Sequence, residues 1–259
     1  MQEIPLKDIK MKTEPLARGG FGEVFMAQWG KENVVVKVIR ATSEEEQQAV
    51  QHEADITVRL NHPNVIKLLG KTCITKKKLG IVMEKAEHGS LDMWIGKIDR
   101  EKLTKIALSI IDGLEYVHSQ NVIHRDIKPK NILMFGPKDD MIPKISDFGV
   151  AKFIERATIQ TTVGESFYMA PEVSLRIQYS FPADIYSLAM MLFEMFNEQL
   201  IGQASDDVRR FIIGVQRGRI DIPESFKVPV HLRNVIQRGW KEQPEERPTL
   251  MEYYSALQG

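Results

Sequence analysis

The sequence predicts an α+β chain in which strands come first and helices follow. Three observations carry that prediction. Residues 11–39 contain β-branched runs such as Val34-Val35-Val36 and Val38-Ile39, suited to a pleated, half-buried surface. Residues 100–119 place apolar side chains at 103, 106, 107, 110, 111, 114 and 117, a stripe along one helix face. Residues 182–196 repeat the pattern at 185, 188, 189, 192, 193 and 196 in a strongly apolar helix.

Taken in order, residues 11–39 read as three strands. Leu16-Ala17-Arg18-Gly19-Gly20-Phe21-Gly22-Glu23-Val24 joins the first two. Glycines let such a hairpin close over phosphates without side chains in the way, although most Gly-rich turns are only hairpins. The third strand, Val34 to Ile39, carries Lys37, which on its own would be an exposed strand lysine. Ser43-Glu44-Glu45-Glu46 is a capping box, so a helix starts there and runs to about Leu60, with Glu53 on it. The first-turn acids are solvated and suit the helix dipole. Val65 to Leu69 and Lys78 to Met83 read as strands, separated by the turn Thr75-Lys76-Lys77. Glu84 to Leu91 is a linker with Gly89 as its pivot. Gly136 to Asp140 is a surface turn, and residues 205–217 and 229–240 are two further helices.

Composition sets outer limits. The 259 residues suffice for one large or two small compact units. Hydrophobic residues at 43% and charged residues at 27% are ordinary for a soluble globular protein. Thirty-five basic and 35 acidic residues cancel, so no charge footprint suggests nucleic acid or a membrane surface. The one cysteine, Cys73, reads as a strand residue; it has no internal disulfide partner, which fits a reducing, cytoplasmic setting. No signal peptide opens the sequence, and no apolar run reaches the ~18 residues of a membrane span.

The chemistry concentrates in one stretch. His124-Arg125-Asp126-Ile127-Lys128-Pro129-Lys130-Asn131 is followed by Ile132-Leu133-Met134, a polar turn, Lys144-Ile145-Ser146 and Asp147-Phe148-Gly149. Two acids and an amide thus sit on short loops beside two short apolar strands. Asp126 can accept a proton from a hydroxyl. Asn131 and Asp147 offer the oxygen ligands that Mg²⁺ prefers, with phosphates and water completing the shell. Lys128 can neutralise a phosphoryl group in flight. Together these are parts for phosphoryl transfer. A lone Asp-Phe-Gly is an ordinary turn; the signal lies in the whole eight-residue run with the Asp-Phe-Gly behind it.

The two segments resemble the catalytic loop and the metal-binding segment of eukaryotic protein kinases, and further landmarks follow in family order from about residue 5 to residue 257. The resemblance implies a two-lobed protein-kinase fold spanning 1–259. Residues 1–86 would form a small antiparallel β lobe with one helix, residues 87–259 a larger, mainly helical lobe, and residues 147–172 the activation segment. ATP with Mg²⁺ would lie in the cleft, Asp126 would serve as base, and Lys128 and Lys37 would balance charge. Glu53 would hold Lys37, and Asn131 and Asp147 would hold metal. Leu16, Ala17, Gly19, Gly22, Val24, Val35, Met83 and Leu133 would surround the nucleotide. Met83 would stand at the back of the pocket, and backbone groups of Glu84 and Ala86 would bond adenine. Asp184 would anchor the catalytic-loop backbone, and Glu172 of Ala170-Pro171-Glu172 would pair with Arg247.

Regulation is implied on the same grounds. Arg125 and Lys152 would receive a phosphate on the activation segment, with Thr161 the first choice, Thr162 next, and Thr158 and Ser166 behind. The chain departs from the family at two points. Ala17 stands where the first glycine of the Gly-rich loop is usual, and Glu165 stands where a Thr or Ser follows Gly164. These departures motivate an alternative, a pseudokinase acting as a nucleotide-binding scaffold. A small-molecule kinase of related fold is a third reading, against which the Ala-Pro-Glu segment argues for protein substrates. Lys128 points to serine/threonine kinases, whereas Trp240 to Pro248 and Asp184-Ile185-Tyr186-Ser187 resemble tyrosine kinases. That mixture is similar to the tyrosine-kinase-like group, with its receptor-interacting, Raf-type and leucine-rich-repeat kinases. It implies protein substrates, no nucleic acid, no membrane insertion, and a place within a larger multidomain signalling protein.

Overall fold

The computed structural model describes residues 1–19, 22–148, 165–175, 180–216 and 221–259, without the side chains of Glu53, Glu165 and Ser166. The described residues fall into two compact units. Met1–Ala86 with Asp147 and Phe148 form the first, and Glu87–Ser146 with the described part of 165–259 form the second.

The first unit is an antiparallel sheet of β1 (Ile9–Gly19), β2 (Gly22–Trp29), β3 (Glu32–Arg40), β4 (Leu68–Thr75) and β5 (Lys78–Glu84), in the order β1-β2-β3-β5-β4. The helix α1 (Glu44–Thr57) connects β3 to β4. β3 is central and covered on both faces, which is why it reads as a nearly continuous apolar run. Val34, Val36 and Val38 join Ile9, Ala27 and Val82 in one cluster, while Ile39 packs with Val50, Ala54 and Ile81 on the α1 side. Strand alternation puts Lys37 on the same face as Ile39. At the start of β2, Gly22 has φ 127°, and a Cβ there would stand 2.2 Å from the Val38 carbonyl oxygen. Only glycine lets the chain at position 22 pass so close to the β3 backbone.

Two boundaries differ from the sequence reading. α1 opens on its capping box, with Glu46 N donating to Ser43 Oγ at 3.1 Å, but stops at Thr57 instead of near Leu60. Beyond it the chain turns towards Asn61-His62-Pro63, and the residue before a proline disfavours helix. The fourth strand is Leu68–Thr75, not 65–69. Val65 and Ile66 are apolar because they are buried in the preceding loop, at 3% and 1% exposure, not because they belong to a strand.

In the second unit, α2 (Arg100–Ser119) has the predicted span and buries the predicted stripe. β6 (Ile132–Phe135) and β7 (Ile142–Ile145) form a small antiparallel hairpin. The segment 144–146 overshoots β7, because Ile132↔Ile145 is the terminal pair and Ser146 turns back to bond Asn131. Gly89 is tied to the hairpin, its carbonyl accepting Met134 N at 2.9 Å. After the single turn α3 (Pro171–Ser174) comes α4 (Phe181–Asn197), buried at every position from Ala183 to Asn197. Of the helices that follow, α5 (Asp206–Val215) meets it through Phe211 on Phe193, α6 (Val230–Gly239) packs against it, and α7 (Leu250–Gln258) packs on α2 and α6. α7 was missed from sequence although Thr249 and Glu252 form a capping box at its start. Among the described residues no helix is long and apolar enough to cross a membrane.

Candidate active site

The loop between α2 and β6 is held mainly through one buried acid. Asp184 lies in the first turn of α4 and is fully buried. Its Oδ2 accepts the backbone N–H of His124 at 2.8 Å and His118 Nε2 at 2.9 Å, and its Oδ1 accepts the Arg125 N–H at 2.8 Å. Arg125 has φ 71°, a left-handed conformation costly for a residue with a side chain. Hydrogen bonds from its own N–H and from that of His124 to a buried carboxylate offset that cost. His124, also fully buried, locks the next turn: its Nδ1 accepts Asp126 N at 3.2 Å. Hence the ring proton sits on Nε2, which donates to the Ser146 carbonyl at 2.9 Å.

Asp126 is then oriented from its own loop. Asn131 Nδ2 donates to the Asp126 carbonyl at 2.7 Å and to its Oδ2 at 2.8 Å, and Lys128 Nζ lies 3.0 Å from the same Oδ2. Lys128 and Asn131 are each 6% exposed. A carboxylate fixed by a cation and an amide is presented in one direction, the first requirement of a positioned base. Because the Asn131 amide nitrogen is spent on Asp126, its Oδ1 faces the other way. Asn131 also holds Ser146, its carbonyl accepting Ser146 N at 2.8 Å and Oγ at 2.9 Å.

In the first unit, Lys37 is ion-paired with Asp147, which has φ 63°. The lysine side chain is 11% exposed and the aspartate 27%. Val35 pairs with Met83 in the β3–β5 register, and Met83 packs against the cluster under α1. The Glu84 carboxylate accepts Lys67 N at 2.8 Å. Ala17 pairs with Val24, and Gly19 with Gly22, in the β1–β2 ladder. Leu16 is exposed; Ala86 ends this unit, and Leu133 belongs to β6 in the other.

Thus Lys37 meets Asp147, Asp126 meets Lys128 and Asn131, and Asp184 meets the Arg125 backbone. The side chains of Glu53, Glu165 and Ser166, and all of Lys152, Thr158, Thr161 and Thr162, lie outside the described residues. Among the described residues no three His, Cys, Asp or Glu gather as a metal cluster. Asp147 in the first unit and Asn131 in the second are each an oxygen donor of the kind a hard cation takes along with phosphate and water, and neither is the thiolate or imidazole that structural zinc prefers.

Two supports lie behind the loop. Arg247 donates to both Glu172 oxygens, at 2.7 and 2.8 Å, and to the carbonyls of Pro182 and Lys241, each at 2.9 Å. The second support was missed from sequence. Glu194, fully buried in α4, accepts Ile201 N at 2.6 Å and the Tyr168 hydroxyl, while the Tyr168 carbonyl accepts Ser187 Oγ at 2.7 Å. Burial pushes the Glu194 carboxyl up to about 7. Its signal was an acid set inside the apolar stripe of residues 185–196.

Known proteins align with the whole of this arrangement. Mitogen-activated protein kinase kinase kinase 10 from Mus musculus is 30% identical over 95% of this chain and 27% of its own length. Dual specificity protein kinase shkE from Dictyostelium discoideum is 33% identical over 96% of this chain and 36% of its own. Serine/threonine-protein kinase STY17 from Arabidopsis thaliana is 29% identical over 98% of this chain and 45% of its own. The chain therefore spans less than half the length of these relatives. A family model described as the protein kinase domain matches residues 11–256, and with a five-stranded antiparallel sheet preceding a helical unit, the chain belongs to that family.

Proposed function

We propose that this chain is a serine/threonine kinase domain that transfers the terminal phosphoryl group of ATP to protein hydroxyls. The observation that carries it is the Asp126 carboxylate, oriented by Lys128 and Asn131 on a loop anchored to Asp184. In the reaction the substrate oxygen bonds to the γ-phosphorus as the bond to the β-phosphate oxygen breaks. The hydroxyl proton passes to Asp126, and ADP departs. Lys128 balances charge at the transferred group, and Lys37 holds the remaining phosphates. Asn131 and Asp147 would hold Mg²⁺, which when bound would supply neutralisation of phosphate charge. Serine and threonine are favoured by Lys128 and by the names of relatives, one of which is nevertheless a dual specificity kinase.

The test is transfer of labelled phosphate to a protein acceptor, followed by phosphoamino-acid analysis. Phosphoserine or phosphothreonine is expected, and Lys37→Met is expected to lower the rate by about 10²–10³-fold with the fold intact. A wild-type chain that binds nucleotide and transfers nothing would replace this function with a scaffold role.

A further inference from the structure

The first residues of the chain hold together parts of the first unit that the proposed reaction does not itself explain. Ile4 N donates to the Lys71 carbonyl at 2.8 Å, and Lys71 N donates to the Gln2 carbonyl at 2.9 Å, so the segment pairs in parallel with β4 through Glu3↔Lys71. β4 is the edge of the five-stranded ladder. The segment thus satisfies main-chain groups that a bare edge would expose. Its side chains reach both faces of the sheet. Ile4, 1% exposed, enters the cluster of Val34, Val36 and Val82, while Met1 packs against the cluster that Val50 and Ala54 of α1 form with Ile39 and Ile81.

Polar contacts repeat the link to α1. The Met1 nitrogen lies 3.0 Å from Asp55 Oδ1, and it is a donor there whether amine or amide. The Lys71 side chain, from the paired strand, bonds Gln51 one turn earlier on the helix. β4 is also shaped for its guest. A Cβ on Gly70 would stand 2.6 Å from Ile4 Cδ1 and 2.8 Å from the Gln2 carbonyl oxygen. The helix has few other large anchors, since its buried described side chains are Val50, Ala54 and Thr57.

We propose that Met1–Ile4 is a positioning strap that fixes α1 against the sheet and so sets the helix that carries Glu53. Its consequence for turnover rests on the proposed function; its hold on α1 does not. The test uses the full chain with Gly70→Ala, which evicts the strap from its seat, with Ile4→Asp, and with Ile4→Val as the conservative control. Amide exchange in 50–57 is read against α2 as an internal reference, alongside kcat and the KM for ATP and for a protein acceptor. Gly70→Ala and Ile4→Asp are expected to speed exchange in 50–57 about tenfold and leave α2 unchanged. Turnover with ATP should fall several-fold while the KM for the protein acceptor holds, and Ile4→Val should match wild type. Unchanged exchange in 50–57 would overturn the strap, as would an equal rise in α2, or faster exchange with no kinetic change. A wild-type chain without turnover would reject the proposed function, and the exchange comparison alone would then decide the strap.

Discussion

The loop that carries Asp126 and the helix that carries Glu53 are held in different ways. The loop is fastened by buried polar groups: His124, Lys128, Asn131 and Asp184 are all at most 6% exposed, and each is bonded to loop backbone or to Asp126. α1, whose start is closed by a capping box, is fastened by Val50 and Ala54, by polar ties from the exposed Gln47 and the half-buried Gln51, and by a four-residue strap. Buried hydrogen-bond networks rigidify, whereas elements with few apolar anchors open at lower free energy. The difference teaches that the proposed base is preorganised, while the helix bearing the proposed partner of Lys37 is the adjustable part.

Changes in the second unit test how firmly its side of that contrast is built. The largest effect is expected for Glu172→Ala. It strands the Arg247 guanidinium, whose side chain is 1% exposed. Breaking a buried pair of this kind costs about 3–5 kcal/mol. Urea unfolding measures it, and a loss below about 1 kcal/mol would show the pair to be dispensable.

Next comes Glu194. Its carboxyl is raised from 4.5 to about 7. Between those values the native chain keeps a proton that the unfolded chain has released, so stability falls as pH rises through that window. Its contribution is fully present below about 4.5 and gone above about 7. The swing is of the order of 3 kcal/mol at about 1.4 kcal/mol per unit. Glu194→Gln keeps an acceptor for Ile201 N and removes the titration. Melting temperatures across the window should therefore slope less in Glu194→Gln than in wild type, and parallel slopes would refute the buried titration.

The smallest of the three is Asp184→Asn. One amide oxygen still accepts, but the NH₂ then faces a backbone donor, which leaves about 1–3 kcal/mol of unmet hydrogen bonding at the loop. Stability should fall by that amount and turnover with it. Full turnover in Asp184→Asn would mean that the loop does not depend on this anchor.

The legible features share a physical reason. α2 and α4 announce themselves by apolar periodicity, and Asp126, Lys128 and Asn131 lie in one short run, so chain connectivity alone brings them near one another. What escaped depends on distant partners. Val65 and Ile66 are apolar for a buried loop, and an apolar pair carries no label for loop or strand. Glu194 is buried because Tyr168 and Ile201 meet it there. Gln2 to Ile4 show no strand pattern; they pair because Gly70 makes room on β4. Glu53, Glu165, Ser166, Lys152 and the three threonines stand as sequence expectations.

The central claim is that Asp126 acts as the base on a loop built to aim it. Single-turnover transfer from ATP to a protein acceptor, measured beside nucleotide affinity in wild type and Asp126→Asn, tests it most directly. The asparagine keeps the shape and cannot take the proton. The rate is predicted to fall by about 10²–10⁴-fold, with nucleotide affinity within about twofold of wild type. Transfer by Asp126→Asn at the wild-type rate would contradict it.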